Sequence, residues 1–325
     1  MGRYGNAMPR IALAFSPLRD ASPRDVVGWA KRAEALGYEA VFIPESYCDS
    51  LAYAQAVALQ TERLRVGTAI TNVYLRQPTL LAEQAAAVQE FSGGRLLLGL
   101  GVGHRVVNEP LGIDMSDPLG KMRAVIGTLR AAWAKGPHQP RPARPPRLLA
   151  AALAPRMIEL AGELADGVIF NLFPLARYPR ALAALHRGAA RGGRGPDAVE
   201  ICHFTTCYLG DDRAAALHEA KRMLARYANL PFYGNMLAAS GYRPQVDAVR
   251  AAWKTRDVAA AERAVSDDMA DAVTLVGDAA RSRERLRAYR MAGAALTIVF
   301  PNPVGESRAA AVERALDAFA PRASL

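Results

Sequence analysis

Short apolar runs alternate along this chain with longer stretches whose apolar residues recur at helical spacing, and the alternation persists from one end to the other. The runs are Arg10 to Phe15, Ala40 to Ile43, Leu64 to Ile70, Arg95 to Leu100, Arg147 to Ala151, Gly167 to Phe170, Glu200 to Thr206 and Ala295 to Phe300. Most are apolar at every position, as parallel strands covered on both faces must be, whereas a half-exposed antiparallel sheet would alternate. Between them lie amphipathic segments such as Pro23 to Leu36, Ser50 to Thr61, Pro78 to Glu90, Pro155 to Leu164 and Ser307 to Phe319, each long enough for a crossover helix. Strand then helix, repeated eight times, predicts an α/β fold of the (β/α)8 TIM-barrel class, a single domain over residues 1–325. A doubly wound open sheet is the alternative, but it wants a glycine-rich turn directly after its first strand, where this chain has Ser16-Pro17-Leu18. One interval, Leu209 to Gly293, is irregular: its Arg- and Ala-rich patterns predict a helical insertion before the last strand, placed to cover the barrel mouth.

Composition narrows the picture. With 325 residues and 51% hydrophobic content the chain can bury a large core. No apolar run approaches the roughly 18 residues of a membrane span, and the N-terminus has no cleavable-signal pattern, so no membrane association and a cytoplasmic location are expected. Three cysteines, Cys48, Cys202 and Cys207, suit a reducing compartment better than a disulfide framework. The formal charge of +10 comes mostly from arginines scattered along Ala-rich helices, without the aromatic interleaving of a nucleic-acid surface; no nucleic-acid partner is expected. A basic rim would instead attract a polyanionic cofactor. The Pro/Arg tract from Gly136 to Arg147 reads as a semi-extended surface loop.

In such barrels the chemistry sits where strands end and run into helices. After the second strand come Pro44-Glu45-Ser46, and a carboxylate there can order a cofactor hydroxyl or move a proton; the plainer reading is a helix cap. After the third come small residues, Thr68 to Asn72, leading into a Pro-initiated helix at Pro78. Gly99, Gly101 and Gly103 end the fourth strand. They do not complete a dinucleotide fingerprint, and close approach of a ligand to the backbone is their expected role. His104 follows them, a group titrating near neutrality and suited to proton delivery. After the fifth strand Ala151, Ala152, Leu153 and Ala154 lead into Pro155 with no acidic residue before Glu159, which leaves a helix N-terminus open to a phosphate; Asn171, after the sixth, adds a polar contact to it. Cys202, His203 and Cys207 suggest a metal, but strand alternation puts Cys202 on the face opposite the other two, so no metal is expected.

Taken together, the stretch Val41 to Gly112, the segment Leu160 to Ile169 and the lid-like run from Tyr227 to Tyr233 and on to Gly241-Tyr242 resemble the bacterial luciferase-like flavin/deazaflavin oxidoreductase family, and within it the coenzyme F420-dependent branch. That resemblance implies a TIM barrel, a homodimer, and hydride transfer between the deazaflavin and a small organic substrate. It also implies a non-proline cis peptide at Ala69-Ile70 acting as a cofactor backstop, a ring contact from Asn108, and phosphate binding by Ala151 to Ala154. The sugar-phosphate dehydrogenase branch carries Asp-His after the second strand and Glu after the fourth-strand glycines; this chain has Glu45-Ser46 and His104, which argues against that substrate. The expected catalytic pair is His104, supplying a proton, and Glu45, ordering the site. The alternatives are an FMN-dependent monooxygenase on the same barrel and a flavin-binding barrel without turnover.

Overall fold

The computed structural model of the chain describes residues 10–17, 21–45, 48–134 and 144–321. Leu18 of the first junction, Ser46 and Tyr47 after the second strand, and most of the Pro/Arg tract lie outside the described residues.

Among the described residues ten strands run in one parallel sheet: β1 (Ile11–Ala14), β2 (Ala40–Ile43), β3 (Arg65–Thr68), β4 (Thr71–Asn72), β5 (Leu96–Gly101), β6 (Arg147–Ala151), β7 (Gly167–Asn171), β8 (Glu200–Leu209), β9 (Leu275–Gly277) and β10 (Leu296–Asn302). β10 pairs with β1 on one side and with β8 on the other, so the sheet closes on itself as a TIM barrel. Eight strands make the ring; β4 continues β3 beyond an interruption, and β9 is an addition along the far end of β8. Several expected boundaries coincide with the structure, among them Ala40–Ile43, Arg147–Ala151, Pro23–Leu36 and Pro155–Leu164. β8 runs three residues past the expected Thr206, because its far end gains a partner in β9.

Strands that read as uniformly apolar are divided by the barrel wall into two cores. Ala12, Ala14, Ala40, Phe42, Leu97, Leu149, Ile169, Cys202, Phe204, Leu296 and Ile298 point inward, and their neighbours Leu13, Val41, Leu98, Leu148 and Val168 face the helices. Both sets are buried, which is why no alternation shows in the letters. Helices start where side chains satisfy their first amides: Ser22 and Asp25 form a capping box before Pro23–Leu36, Asp49 caps Ser50–Leu59, and Gln77 caps Pro78–Phe91.

Between β8 and β10 the chain forms helices Arg213–Asn229, Pro231–Leu237, Arg243–Lys254, Val258–Ala264 and Asp267–Val273, then β9, then Ala279–Met291. The last of these packs on β8, β9 and β10 and is the regular crossover; the additional elements are those before it. No helix among the described residues is long and apolar enough to cross a membrane.

Candidate active site

The third-strand junction is built around a register change. Val66 and Gly67 of β3 stand opposite Leu96 and Leu97, and pairing resumes with Thr71 opposite Leu100 and Asn72 opposite Gly101. Between the paired positions Thr68, Ala69 and Ile70 stand opposite only Leu98 and Gly99, one extra residue, which is a β-bulge. The Ala69–Ile70 peptide within it is cis, at the position expected. Ala69 and Ile70 are half-buried and pack, with Ala151 and Phe300, on the top of the inner core, so the barrel presents a partly exposed apolar floor to its mouth.

The three alternate glycines serve this bulge, which corrects the expectation that they admit a ligand. A β-carbon on Gly99 would lie 2.0 Å from the Thr68 carbonyl oxygen, one on Gly101 would lie 2.5 Å from Ile70 Cδ1, and one on Gly103 would lie 2.5 Å from Asn72 Nδ2. Gly99 and Gly101, two residues apart in β5, share the face against which the bulge rests, and Gly103 lies two residues beyond the strand in a left-handed turn. Protein atoms, and not a ligand, fill the space.

Glu45 sits at the end of β2 with both carboxylate oxygens engaged. Oε1 pairs with Arg76 at 2.6 Å and accepts from Ser50 Oγ at 3.2 Å, while Oε2 accepts from the Asn72 backbone N–H at 2.6 Å. Arg76 also pairs with Asp49 at 2.9 Å, and Asp49 itself caps the helix Ser50–Leu59. The helix-cap reading of Glu45 is therefore replaced by Asp49, and Glu45 reads from its contacts as a clamp on β4. Asn108 is fully buried: its Oδ1 accepts from Asn72 Nδ2 at 2.8 Å and its Nδ2 donates to the Val102 carbonyl at 3.0 Å. The expected direct ring contact is not what this geometry offers, because Asn108 has no exposed surface; it holds Asn72 and, through it, the bulge.

His104 belongs to a different cluster. It stands at the start of the short helix Arg105–Asn108 with no capping bond, and its ring lies 5.7 Å from that of Tyr233 and edge-on to Tyr227 at 6.3 Å. Burial holds its pKa below the ordinary 6.5. Its Nδ1 is buried without a hydrogen-bond partner among the described residues. Tyr233 Oη accepts from Asn171 Nδ2 at 2.8 Å, and Asn171 Oδ1 is likewise buried without a partner. The ends of β5 and β7 and the helix Pro231–Leu237 thus bring His104, Asn171 and Tyr233 together. Asn171, expected at a phosphate, stands here with Tyr233 instead.

Ala151, Ala152, Leu153 and Ala154 join β6 to the helix Pro155–Leu164. Ala154 occupies its N-cap and supplies no side-chain bond, and no acidic residue lies in the first turn. The first amides are left to a solvent or ligand partner, as an anion site requires. A cleft of about 340 Å³ opens beside this helix, lined by Arg123, Arg156 and Arg191 with Asp117 and Glu159. A cleft of about 570 Å³, lined by Trp133, Pro145, Pro146 and Arg147 among others, lies at the opposite pole, where β6 begins, and is remote from these groups. Cys202 faces the inner core while Cys207 faces the helices and His203 stacks on Tyr289 of the helix layer, so the three do not converge. Among the described residues no cluster of His, Cys, Asp and Glu could hold a metal.

A family model described as luciferase-like monooxygenase matches residues 8–296. The chain belongs to that family. Among its relatives, a 5,10-methylenetetrahydromethanopterin reductase of Methanolobus tindarius is 27% identical over 305 residues, covering 89% of this chain and 93% of that protein. The solved coenzyme F420-dependent tetrahydromethanopterin reductase of Methanopyrus kandleri superposes with a TM-score of 0.80 at 21% identity, covering 95% of this chain and 98% of that one. An F420-dependent secondary alcohol dehydrogenase, solved with an F420-acetone adduct, gives 0.76 at 16% identity, covering 96% and 98%. The residues of this luciferase-like barrel fit a flavin-type group: an apolar floor for a flat ring, unpaired buried polar atoms on His104 and Asn171, and uncapped helix amides for a phosphate.

Sequence reasoning missed two residues of this region. Arg76 lies inside the motif around β4, but nothing in its spacing announces that it meets Glu45. Tyr233 lies in the lid-like run, and its pairing with Asn171, 62 residues earlier, is not written in local pattern.

Proposed function

We propose that this chain is a coenzyme F420-dependent oxidoreductase that moves a hydride between the deazaflavin and a small organic substrate, with the accompanying proton handled at His104. The observation that carries the reading is His104 Nδ1, buried without a partner at the end of a barrel strand, in a mouth floored by Ala69, Ile70, Ala151 and Phe300. The deazaflavin, when bound, supplies a carbon that accepts or gives up hydride. Ala69 and Ile70 would back its ring, and the backbone from Ala151 to Ala154 would hold the phosphate. Glu45, Asn72 and Asn108 keep the bulge in register and so fix where that ring rests. Burial keeps His104 neutral near pH 7, so it is poised to accept a proton when the substrate is oxidised and returns it in the reverse direction.

Titrating oxidised F420 and FMN separately into the purified protein, followed by absorbance, tests the cofactor assignment; F420 is expected to bind the more tightly. His104→Ala should still bind F420 while turnover falls by about a hundredfold or more. A variant that binds F420 and keeps full turnover removes His104 from the reaction. The family model's own description favours a second reading, an FMN monooxygenase. Oxygen consumption with reduced FMN, and none of the F420 binding, would support it.

A further inference from the structure

The junctions after β6 and β7 lie side by side, since Ala151 stands opposite Ile169, and neither starts its helix with a capping side chain. Ser22, Asp49, Gln77, Asp212 and Ser307 cap the helices that follow β1, β2, β4, β8 and β10. The helix Tyr178–Arg191 after β7 has instead Arg177 at its N-cap, with no capping bond, and no acid in its first turn, where Arg180 stands. Two cations thus sit on the positive end of a helix dipole, where a negative group belongs. Arg177 is half-buried: its guanidinium carbon is 5.7 Å from the centroid of the buried Phe173 ring, and its Nε is buried without a hydrogen-bond partner. Burial and the neighbouring charge of Arg180 both hold its pKa below the ordinary arginine value. Arg76, at the same end of the barrel, is met by Glu45 at 2.6 Å and by Asp49 at 2.9 Å. Arg177 meets no carboxylate among the described residues, and the charge that acts on it is another cation. Burying a charge is costly until something pairs with it, and here the fold supplies the cation and its anchoring ring without the counter-charge.

From this arrangement we infer that Arg177 and Arg180 form an oxyanion site at the head of the helix Tyr178–Arg191, beside the phosphate seat proposed at Ala151 to Ala154, and that it takes a carboxylate or phosphate carried by a ligand of the mouth. Arg177, anchored on Phe173, offers a planar fork that matches two oxygens of such a group. Arg180, exposed beside it, adds a second charge. Adjacent strands run about 4.8 Å apart, so anions held at the two junctions are near neighbours. They belong either to one cofactor with two anionic groups or to a cofactor and an anionic substrate. The site goes beyond the F420 reading, because an oxyanion at Arg177 does not depend on which ring fills the mouth.

Inorganic phosphate titrated into the cofactor-free full chain at low ionic strength tests the site, with sodium chloride at matched ionic strength as the control. The Arg177 side-chain ¹⁵Nε–¹H resonance, identified by its loss in Arg177→Gln, is followed in wild type, in Arg180→Gln and in Arg63→Gln. The last removes the same charge just before β3, at the opposite pole of the barrel. Phosphate is expected to move the resonance saturably and chloride is not. Arg180→Gln should weaken that binding about threefold to tenfold, and Arg63→Gln should leave it within about twofold. A resonance that ignores phosphate, follows chloride equally, or answers phosphate alike in wild type and Arg180→Gln overturns the site and leaves two solvated surface cations. F420 binding by wild type and Arg177→Gln then identifies the carrier. A loss of affinity of about tenfold or more in the variant, with F420 displacing phosphate from Arg177, assigns the anion to the cofactor. Equal affinity, with Arg177 still answering phosphate in the F420 complex, assigns it to the substrate. Should wild type fail to bind F420, the cofactor reading falls, and the phosphate response of Arg177 in the cofactor-free protein still decides the site.

Discussion

Gly99→Ala distinguishes a glycine that makes room for the protein from one that makes room for a ligand. The added methyl would lie 2.0 Å from the Thr68 carbonyl oxygen and 3.0 Å from Ile169 Cδ1. A backbone oxygen inside a closed barrel cannot swing aside, so β3 and β5 must separate by about 1 Å to restore an ordinary contact. That displacement also strains the bond from Thr68 Oγ1 to the Gly99 carbonyl, now 2.8 Å. Overpacking of this kind costs about 1–3 kcal/mol and the lost hydrogen bond about 1 more, which puts the variant roughly 2–4 kcal/mol below wild type. In a chain of this size that is a fall in Tm of roughly 3–6 °C. Gly101→Ala meets the end of the Ile70 side chain, which can rotate, and should cost only about 1–2 kcal/mol; because Ile70 then leaves the floor, F420 affinity should suffer more than stability. Thermal and urea unfolding of cofactor-free protein, beside F420 titrations, measure both quantities. If the cofactor-free Gly99→Ala protein melted within about 1 °C of wild type and only F420 binding weakened, the glycines would exist for the ligand and the account of the bulge given above would be wrong.

Further outcomes follow from the same contacts. Glu45→Gln leaves Arg76, whose side chain is 11% exposed, with Asp49 as its sole charged partner among the described residues and should cost about 2–3 kcal/mol in urea unfolding. Because its oxygens are committed to protein groups, kcat at 20 °C should stay within about threefold of wild type; a loss as deep as that of His104→Ala would restore Glu45 to the chemistry. In the direction of substrate oxidation kcat/KM should be flat above pH 6.5 and decline only in more acid solution, since burial lowers His104 from that value and the neutral form is the one that accepts the proton. A profile breaking well above pH 7 would contradict it. His203, sealed between Tyr178 and Tyr289 and kept neutral by burial and by Arg285, has its pKa lowered from 6.5 to about 3. Its contribution to stability is complete above pH 6.5 and is lost on acidification toward pH 3 at about 1.4 kcal/mol per pH unit, because the unfolded chain binds the proton first. His203→Phe should flatten that part of the stability profile, and an unchanged slope would show that other groups set it.

What the letters carried and what they withheld divide along a physical line. Uniformly apolar runs such as Ala40–Ile43 and Arg147–Ala151 announce strands buried on both faces, and Ser22-Pro23 announces a helix start, because each of these is decided by neighbours in sequence. The two-residue β4 and the three-residue β9 have no length in which a period could show. Alternation alone separates Cys202 from His203 and Cys207. The glycines are the instructive failure: spacing reveals that alternate positions at the end of β5 and just beyond it lack side chains, but not whether Thr68, Ile70 and Asn72 or a ligand takes the space.

The mouth follows the same logic one step further. A TIM barrel gathers the ends of strands distant in sequence, so the meaning of a polar residue there is set by what it meets across the ring. Glu45 and His104 look alike as candidates when read singly, each a titratable side chain at a strand end. Across the ring they separate: Glu45 has both oxygens engaged by Arg76, the Asn72 amide and Ser50, whereas His104 meets two tyrosine rings and keeps Nδ1 unspent among the described residues. A group whose hydrogen-bonding capacity the fold has already used positions its neighbours, and one whose capacity is buried and unused waits for a partner from outside the chain. By that criterion the proposed reacting end of this barrel is the His104, Asn171 and Tyr233 side of the mouth, and the Glu45, Asn72 and Asn108 side is the frame that holds its floor.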